Sequence, residues 1–392
     1  MQAIRLPAGV TSPEIPTPAA PTRTSPHPPT MKLPRLLSAL ALPAALFAAP
    51  FLRADTPAEL TRTYRVQQTV TLTGIPLGAK HVKWWLSIPN DDRFQDVLDF
   101  AVLSAPGEWH TVREPDRGNR FLQLDVASPS SSALTAKVEF VLRRRPVFVD
   151  IDPAQAGPIT DSHRRLFVDE LRQDAPHMAV SPRIAKMANE TCGTETNIEK
   201  QANLLLNKVA DYADHYSKDP TKPKCSIGDA EDCMTNAGGC CTDMHSMFIA
   251  LARARGIPAR LQMGYRLREA NVGKEVDPGY RCWAEYFVPG YGWVSADIVE
   301  ADDPKGLGRT RWFSGLTERR LWLNEGREFN LAGRAVTDHR VSTMVIGYAE
   351  IDGVEARVLA DDVTKIPAQL SRTVRYTEIK PESEPVKVAT TP

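Results

Sequence analysis

The chain contains 392 residues, which exceeds one ordinary domain and predicts two domains with flanking segments. Lysine plus arginine and aspartate plus glutamate each total 48, so the net charge is zero and no global field favours nucleic acid or an anionic membrane. The 6 cysteines are too few for a disulfide scaffold of this length, and they match neither C-x-x-C pairing nor zinc-ligand spacing. We therefore expect no metal site and no cofactor.

The N-terminal region has the features of an export signal. Residues 1–30 are rich in proline, threonine, serine and alanine, which predicts a disordered segment or an extension upstream of a true start at Met31. Residues 31–54 form a basic run, an apolar run and a small residue before a polar start, the pattern of a signal peptide. Pro43 and Pro50 disfavour a membrane-spanning helix, although an uncleaved anchor is the alternative. We expect export to the periplasm or the extracellular space, where some cysteines can pair.

Residues 61–150 alternate between apolar and polar side chains, as strands with one buried face do. Tyr64, Val66, Val70 and Leu72 share one parity, and similar runs follow. Several short runs of this kind, separated by turn residues, predict an antiparallel β-sandwich domain. The region contains no catalytic constellation, so its expected role is structural or substrate-positioning.

Helical patterns replace the alternating ones after residue 160. Ser181 and Pro182 combine a favourable N-cap with proline at the first helical position, and residues 198–216 carry apolar side chains on one helical face. Strand patterns return at Leu261 and recur later in the chain, which predicts an α+β domain. We expect residues 376–392 to form a flexible tail.

A glycine-rich turn delivers two adjacent cysteines, Cys240 and Cys241, to the start of a predicted helix. Met244, Phe248 and Leu251 recur at helical spacing and mark the buried face. A thiol at a helix N-terminus meets the positive end of the helix dipole and unpaired backbone N–H groups, which favour the thiolate. Cys241 is therefore a candidate nucleophile; the alternative is a buried structural cysteine or half of a disulfide.

Three segments together resemble the transglutaminase-like superfamily. In chain order they are Gly239-x-Cys241-x-Asp243 opening a helix that ends in Gly256–Arg260, then Cys282-Trp283-Ala284-Glu285, then Gly292-Trp293-x-x-x-Asp297. The resemblance covers about residues 181–302 and implies a papain-like α+β core. Bacterial exported members resemble the chain more widely, which implies a transglutaminase-like domain over 160–375, with trailing strands, after the β-sandwich over 61–150.

The resemblance also implies a catalytic triad, and this triad is incomplete here. Cys241 stands at the position of the nucleophile and Asp297 at that of the orienting acid, whereas Arg281 occupies the position of the histidine. In such a triad the thiolate attacks an amide carbonyl, and imidazolium protonates the leaving amine. The charge of Arg281 can favour the Cys241 thiolate, but arginine does not exchange its proton at working pH. A purely structural Arg281–Asp297 ion pair is the alternative.

His245 and Cys240 leave two further questions open. His245 lies one helical turn after Cys241 and is a candidate substitute base, although relatives that keep the strand histidine also carry a histidine there. Cys240 can pair with Cys233 or Cys225 and pin the loop without consuming Cys241. A disulfide through Cys241 itself would block the nucleophile, and spacing alone does not determine the connectivity.

Two functional hypotheses follow. The first is thiol-dependent acyl transfer or amide hydrolysis on a protein or peptide substrate through Cys241, altered by Arg281. The second is a catalytically inactive member of the family whose cleft binds a peptide, a protein or the cell wall. Nucleic acid is not an expected partner, and membrane contact would arise only through an uncleaved signal segment.

Overall fold

The computed structural model describes residues 60–224, 228–302, 306–344, 346–356 and 369–380. The predicted extension over 1–30 and the predicted signal peptide over 31–54 lie outside these residues. No helix within the described ranges is both long and apolar enough to cross a bilayer.

The alternating N-terminal segment forms the greater part of a β-sandwich. Its strands are β1 (Arg62–Thr73), β2 (His81–Ile88), β3 (Gln95–Ser104), β4 (Glu108–Arg113), β5 (Arg120–Ala127) and β6 (Ala133–Arg144). Later strands that join them are β11 (Glu275–Val276), β16 (Tyr348–Ile351), β17 (Val354–Ala356) and β18 (Gln369–Ile379). One antiparallel sheet has the order β11-β18-β1-β6-β3, and the other has the order β17-β16-β2-β5-β4. Inward-facing side chains such as Tyr64, Val66, Trp84 and Leu122 are fully buried in a common core.

The C-terminal strands belong to this sandwich. The sequence pattern assigns the trailing strands to the core domain and a loose tail to 376–392. Instead, β18 pairs with β1 along its whole length and continues to Ile379, and β16 pairs with β2. The reason is burial, because Leu370, Val374 and Tyr376 all pack into the sandwich core.

The central part of the chain forms the predicted papain-like core. Its helices are α1 (Asp161–Leu166), α2 (Pro182–Cys192), α3 (Ile198–Tyr212), α4 (Ala230–Asn236), α5 (Cys241–Ala254), α6 (Ile298–Ala301) and α7 (Arg309–Trp312). Its strands are β7 (Val147–Phe148), β8 (Asp214–His215), β9 (Gly238–Gly239), β10 (Ala259–Arg266), β12 (Arg281–Val288), β13 (Gly292–Ala296), β14 (Gly315–Leu316) and β15 (Arg320–Glu325). Helix α5 is the central element, with every residue from Cys241 to Arg253 buried, and it contacts α2, α3, α4 and β12. The predicted α+β class is confirmed.

The helix boundaries follow local chemistry and position the site. The Ser181 side chain accepts a hydrogen bond from the Ile184 N–H, so α2 begins where the sequence predicts. The predicted apolar face over 198–216 is buried along α3, but this helix ends at Tyr212. The chain then forms β8, which pairs in parallel with β9 just before α5. A segment predicted as the last turn of a helix therefore lies beside the candidate nucleophile.

Candidate active site

The N-terminal turn of α5 is held by the carboxylate of Asp243. Its Oδ2 accepts a hydrogen bond of 2.7 Å from the backbone N–H of Cys240, and its Oδ1 accepts one of 2.8 Å from that of Asp229. Gly239 has a φ of +152°, and a Cβ here would lie 2.6 Å from Asp243 Oδ2. Glycine is required because a side chain would displace the carboxylate that fixes the turn. The Gly-x-Cys-x-Asp spacing therefore presents Cys241 at the first position of the helix.

The Cys241 thiol is buried, with 4% of the residue exposed. A hydrogen bond with Cys282 does most to hold the pKa of Cys241 well below its usual range, against the opposing effect of burial. A hydrogen bond with His215 and the positive charge of Arg281 lower this pKa further. Together with the helix N-terminus, these contacts favour a thiolate at Cys241.

Cys282 is the protonated partner of this thiolate. Its Sγ lies 3.6 Å from Thr242 Oγ1 and 3.5 Å from His245 Nδ1. Burial raises the pKa of Cys282 well above its usual range, and its hydrogen bond with Cys241 raises it further. Cys241 is therefore the thiol of the pair that ionises. The sequence pattern predicts only a small buried apolar side chain at Cys282, so its contact with the nucleophile is a finding of the structure.

Arg281 begins β12 and is half-buried beside the nucleophile. Burial alone would lower its pKa, but the negative charges of Cys241, Asp297 and Glu300 outweigh that effect and raise it. Within the described residues, no carboxylate forms a salt bridge with Arg281. Arg281 therefore supplies a permanent positive charge to Cys241 and exchanges no proton with it.

Asp297 is bound to a different arginine. Its Oδ2 accepts a hydrogen bond of 2.7 Å from Arg320 Nη2, and its Oδ1 accepts one of 3.1 Å from the Glu300 N–H at the start of α6. Burial opposes the charge on Asp297, but Arg320 and then other nearby positive groups keep its pKa below the usual range. The suggested Arg281–Asp297 ion pair is therefore replaced by Arg320–Asp297, because β15 brings Arg320 to this carboxylate from a distant part of the chain.

His245 is fully buried, and both of its ring nitrogens are engaged. Its Nδ1–H donates a hydrogen bond of 2.6 Å to the Cys241 carbonyl oxygen, and its Nε2 accepts one of 3.1 Å from the Ile298 N–H. Burial lowers the pKa of His245, which keeps the ring neutral. The ring thus presents no free nitrogen to the Cys241 sulfur, and its contacts join α5 to α6 as a structural link.

His215 is the histidine at this site that motif reasoning misses. It lies on β8, where its backbone is opposite Gly239, and 6% of the residue is exposed. A hydrogen bond from its imidazole is one of the interactions that lower the pKa of Cys241. No spacing rule connects the two residues, because they meet only through the parallel pairing of β8 with β9. The sequence offers one indication: because the triad lacks its histidine, each remaining histidine of the chain is a candidate for its role.

Comparisons with known proteins agree with this geometry. A sequence profile of the transglutaminase-like superfamily matches residues 185–298. An uncharacterised protein of Haemophilus influenzae is 32% identical over 306 residues, which cover 68% of this chain and 80% of that protein. The chain belongs to the transglutaminase-like superfamily. The crystal structure of a candidate cysteine protease from Cytophaga hutchinsonii covers 83% of this chain and 93% of its own, with 16% identity and a TM-score of 0.54, and shows that the two share a fold.

The cysteines of this transglutaminase-like chain leave the nucleophile available. Cys240 is disulfide-bonded, whereas Cys192, Cys233, Cys241 and Cys282 are free. The predicted alternative of a Cys240–Cys233 pair is therefore wrong, and so is a disulfide through Cys241. Cys225 lies outside the described residues. The disulfide at Cys240 restrains the residue before Cys241 and leaves the Cys241 thiol free.

Tyr280 covers the first turn of α5 in this transglutaminase-like core. Its hydroxyl lies 2.8 Å from Thr242 Oγ1 and 3.5 Å from Cys240 Sγ, the side chains on either side of the nucleophile. Burial raises the pKa of Tyr280 well above its usual range, so its hydroxyl stays neutral. In the described part of the chain, no three His, Cys, Asp or Glu side chains cluster as metal ligands. The groups that lower the pKa of Cys241 are thiol, imidazole and guanidinium side chains.

Proposed function

We propose that this chain is an exported cysteine acyltransferase or hydrolase. Its substrate is an acyl group of a protein or a peptide, and cell-wall peptides belong to this class. The observation that carries the proposal is the environment of Cys241. A buried thiol at the N-terminus of α5 has its pKa lowered by Cys282, His215 and Arg281. Thiolates in such surroundings are nucleophilic, whereas structural buried cysteines are inert.

The reaction would proceed through a thioester. The Cys241 thiolate attacks the acyl carbon, the bond to the leaving group breaks, and water or an amine then releases the acyl group. Arg281 stabilises the thiolate before attack but cannot protonate a leaving amine. Esters and thioesters with acidic leaving groups are therefore the substrates that the Cys241–Arg281 pair alone can open.

A second candidate function is binding without turnover. It is favoured by the arginine at the family's histidine position and by the salt bridge that occupies Asp297. A cleft of this kind would hold a peptide, a protein or the cell wall, and Arg281 would serve as a cationic contact. The two functions differ in whether a covalent acyl-Cys241 forms.

Acetylation by p-nitrophenyl acetate tests the proposal. The native protein is expected to release p-nitrophenol and to gain one acetyl group at Cys241, read by mass spectrometry of its peptides. Cys241→Ala should lose this acetylation. Cys192→Ala should keep it, because burial raises the pKa of the free Cys192 thiol and leaves it unreactive. Absence of acetyl-Cys241 in the native protein would favour the binding function instead.

Export has its own test. The sequence over 31–54 and the disulfide at Cys240 both support an oxidising compartment. The full chain, expressed in a Gram-negative bacterium and fractionated, is expected in the periplasm or the medium. Deletion of residues 36–52 should retain it in the cytoplasm; an unchanged distribution would contradict export by this segment.

A further inference from the structure

The backbone of His215 is fixed relative to the nucleophile. β8 and β9 pair in parallel with His215 opposite Gly239, two residues before Cys241. The N–H of Tyr216 donates a hydrogen bond of 2.8 Å to the Gly239 carbonyl oxygen, and the N–H of Asp214 donates one of 3.2 Å to that of Ala237. These hydrogen bonds flank His215 and hold it at the start of α5.

The imidazole of His215 is oriented by its own loop. Its Nδ1 accepts a hydrogen bond of 3.3 Å from the Ser217 N–H and lies 2.7 Å from Ser217 Oγ, and its ring centroid lies 4.6 Å from that of Tyr216. Because Nδ1 is occupied by Ser217, Nε2 is the nitrogen left for the contact with Cys241. A serine hydroxyl can donate to Nδ1 or accept from it, so both protonation states of the ring keep a partner.

We propose that His215 is the proton-exchanging partner of Cys241 and takes the role that Arg281 cannot perform. The inference rests on the proposed function, because it assigns a step within that reaction. Two other groups at the nucleophile are excluded by their chemistry: Arg281 keeps its proton, and both nitrogens of His245 are engaged by backbone groups. Among the described residues around Cys241, His215 has a nitrogen that can exchange a proton and that Ser217 leaves open.

The proton balance of the cycle is complete with this residue. The cycle begins with a Cys241 thiolate beside a His215 imidazolium, whose Nε2–H is directed at the sulfur and whose Nδ1–H is donated to Ser217 Oγ. As the sulfur–carbon bond forms and the bond to the leaving amine breaks, Nε2–H passes its proton to that amine. Water or a second amine then gives a proton to Nε2 and attacks the thioester, and the Cys241 thiolate leaves.

Deacetylation of acetyl-Cys241 isolates the step assigned to His215. The acetyl-enzyme forms from p-nitrophenyl acetate, whose leaving group needs no proton, and its hydrolysis then needs a base. We expect His215→Gln to form acetyl-Cys241 but to hydrolyse it on the order of 100-fold more slowly than the native protein, the scale of general-base catalysis. His339→Gln is the control, since this exposed histidine bonds Asp338 and Glu355 and should change nothing.

Two further variants exclude a structural explanation. Ser217→Ala leaves His215 in place but removes the hydroxyl acceptor of Nδ1–H, and it should lengthen the acetyl-enzyme lifetime roughly fivefold, as loss of one hydrogen bond would. In His215→Ala, added imidazole should shorten the lifetime again, which a misfolded site could not do. Should His215→Gln fail to fold, an unchanged lifetime in Ser217→Ala would overturn the inference.

The inference and the proposed function fail differently. If acetyl-Cys241 forms and its lifetime is equal in the native protein and His215→Gln, His215 is not the base, and the nucleophile stands. If no acetyl-Cys241 forms in the native protein, the proposed function itself is overturned, and the role of His215 with it.

Discussion

Arg281 separates two tasks that a single histidine performs in a complete triad. A histidine stabilises the thiolate and also exchanges a proton with substrate and product. In the proposed reaction Arg281 performs only the first task, because its guanidinium holds its charge at every working pH. The charge of Arg281 and a hydrogen bond with a separate imidazole, that of His215, both lower the pKa of Cys241, and the proposed reaction divides the two tasks between these residues.

The charge of Arg281 predicts a shift in the pH dependence of Cys241 alkylation. The thiolate reacts, so labelling by iodoacetamide is full above the depressed pKa of Cys241 and falls as the pH drops through it. Arg281→Gln removes one attraction and should move the midpoint to higher pH, which slows labelling about tenfold at a pH between the two midpoints. Labelling is read at the Cys241 peptide by mass spectrometry.

Arg281→Lys is the matched control for this measurement. It keeps the positive charge and should stay close to the native profile. Coincident profiles for Arg281→Gln and the native protein would show that the charge does not reach the thiol.

At the scale of the element, the turn before α5 depends on one carboxylate. Asp243 accepts hydrogen bonds from the Cys240 and Asp229 N–H groups and so ties the helix to the loop before α4. Gly239 leaves room for that carboxylate, and the bond at Cys240 restrains the same turn. The family spacing around the nucleophile is thus a structural requirement as well as a chemical one.

Asp243→Ala is expected to destabilise the fold and to disorder the nucleophile turn. It leaves two backbone N–H groups without their acceptor, at a cost of about 1–3 kcal/mol each. Urea unfolding should report the loss of stability. Alkylation of Cys241 should no longer persist at low pH, because the disordered turn no longer favours the thiolate. Asp174→Ala is the control, because this side chain is 88% exposed. If the free energies of unfolding of the two variants agreed within about 0.5 kcal/mol, the range of ordinary surface substitutions, the role of the Asp243 carboxylate would be refuted.

At the scale of the whole molecule, the two ends of the described chain close one sandwich. β18 lies between β1 and β11, and β16 and β17 extend the sheet that contains β2. The sandwich core also includes Tyr265, Leu267, Leu321 and Leu323 from the segment that carries β10 and β15. The sandwich and the transglutaminase-like core therefore share buried side chains, and we expect the two to unfold together.

A truncation after Ala356 tests this dependence. It removes β18 and the burial of Leu370, Val374 and Tyr376, each worth about 1.5–3 kcal/mol. That loss is comparable with the roughly 5–15 kcal/mol that stabilises a typical domain, so the shortened chain should lack a cooperative thermal transition in circular dichroism.

A truncation after Lys380 is the control for this experiment. It retains every residue pair of β18 and should melt as the full chain does. If the chain that ends at Ala356 melted cooperatively within a few degrees of the full chain, β18 would be dispensable.

The sequence by itself determined the features that local physics controls. Alternation specified β1, β2, β5 and β6 of the sandwich, capping chemistry specified the start of α2, and the glycine–cysteine–aspartate spacing specified the turn before α5. Each depends on residues within a few positions of one another, where side-chain direction and backbone hydrogen bonding are fixed by spacing alone. The family and the position of Cys241 follow from these features.

Only the tertiary structure decided how distant segments meet. In the fold, Asp297 forms its salt bridge with Arg320 and not with Arg281, and both nitrogens of His245 are hydrogen-bonded. β18 pairs with β1, and the pairing of β8 with β9 places His215 near Cys241. Except for the bond from His245 to the Cys241 carbonyl oxygen within α5, these contacts join different elements of the fold. The free energy that selects them is the burial and pairing of the whole fold. The candidate nucleophile could therefore be predicted from its own neighbourhood, whereas the position of His215 beside it depends on the folded chain.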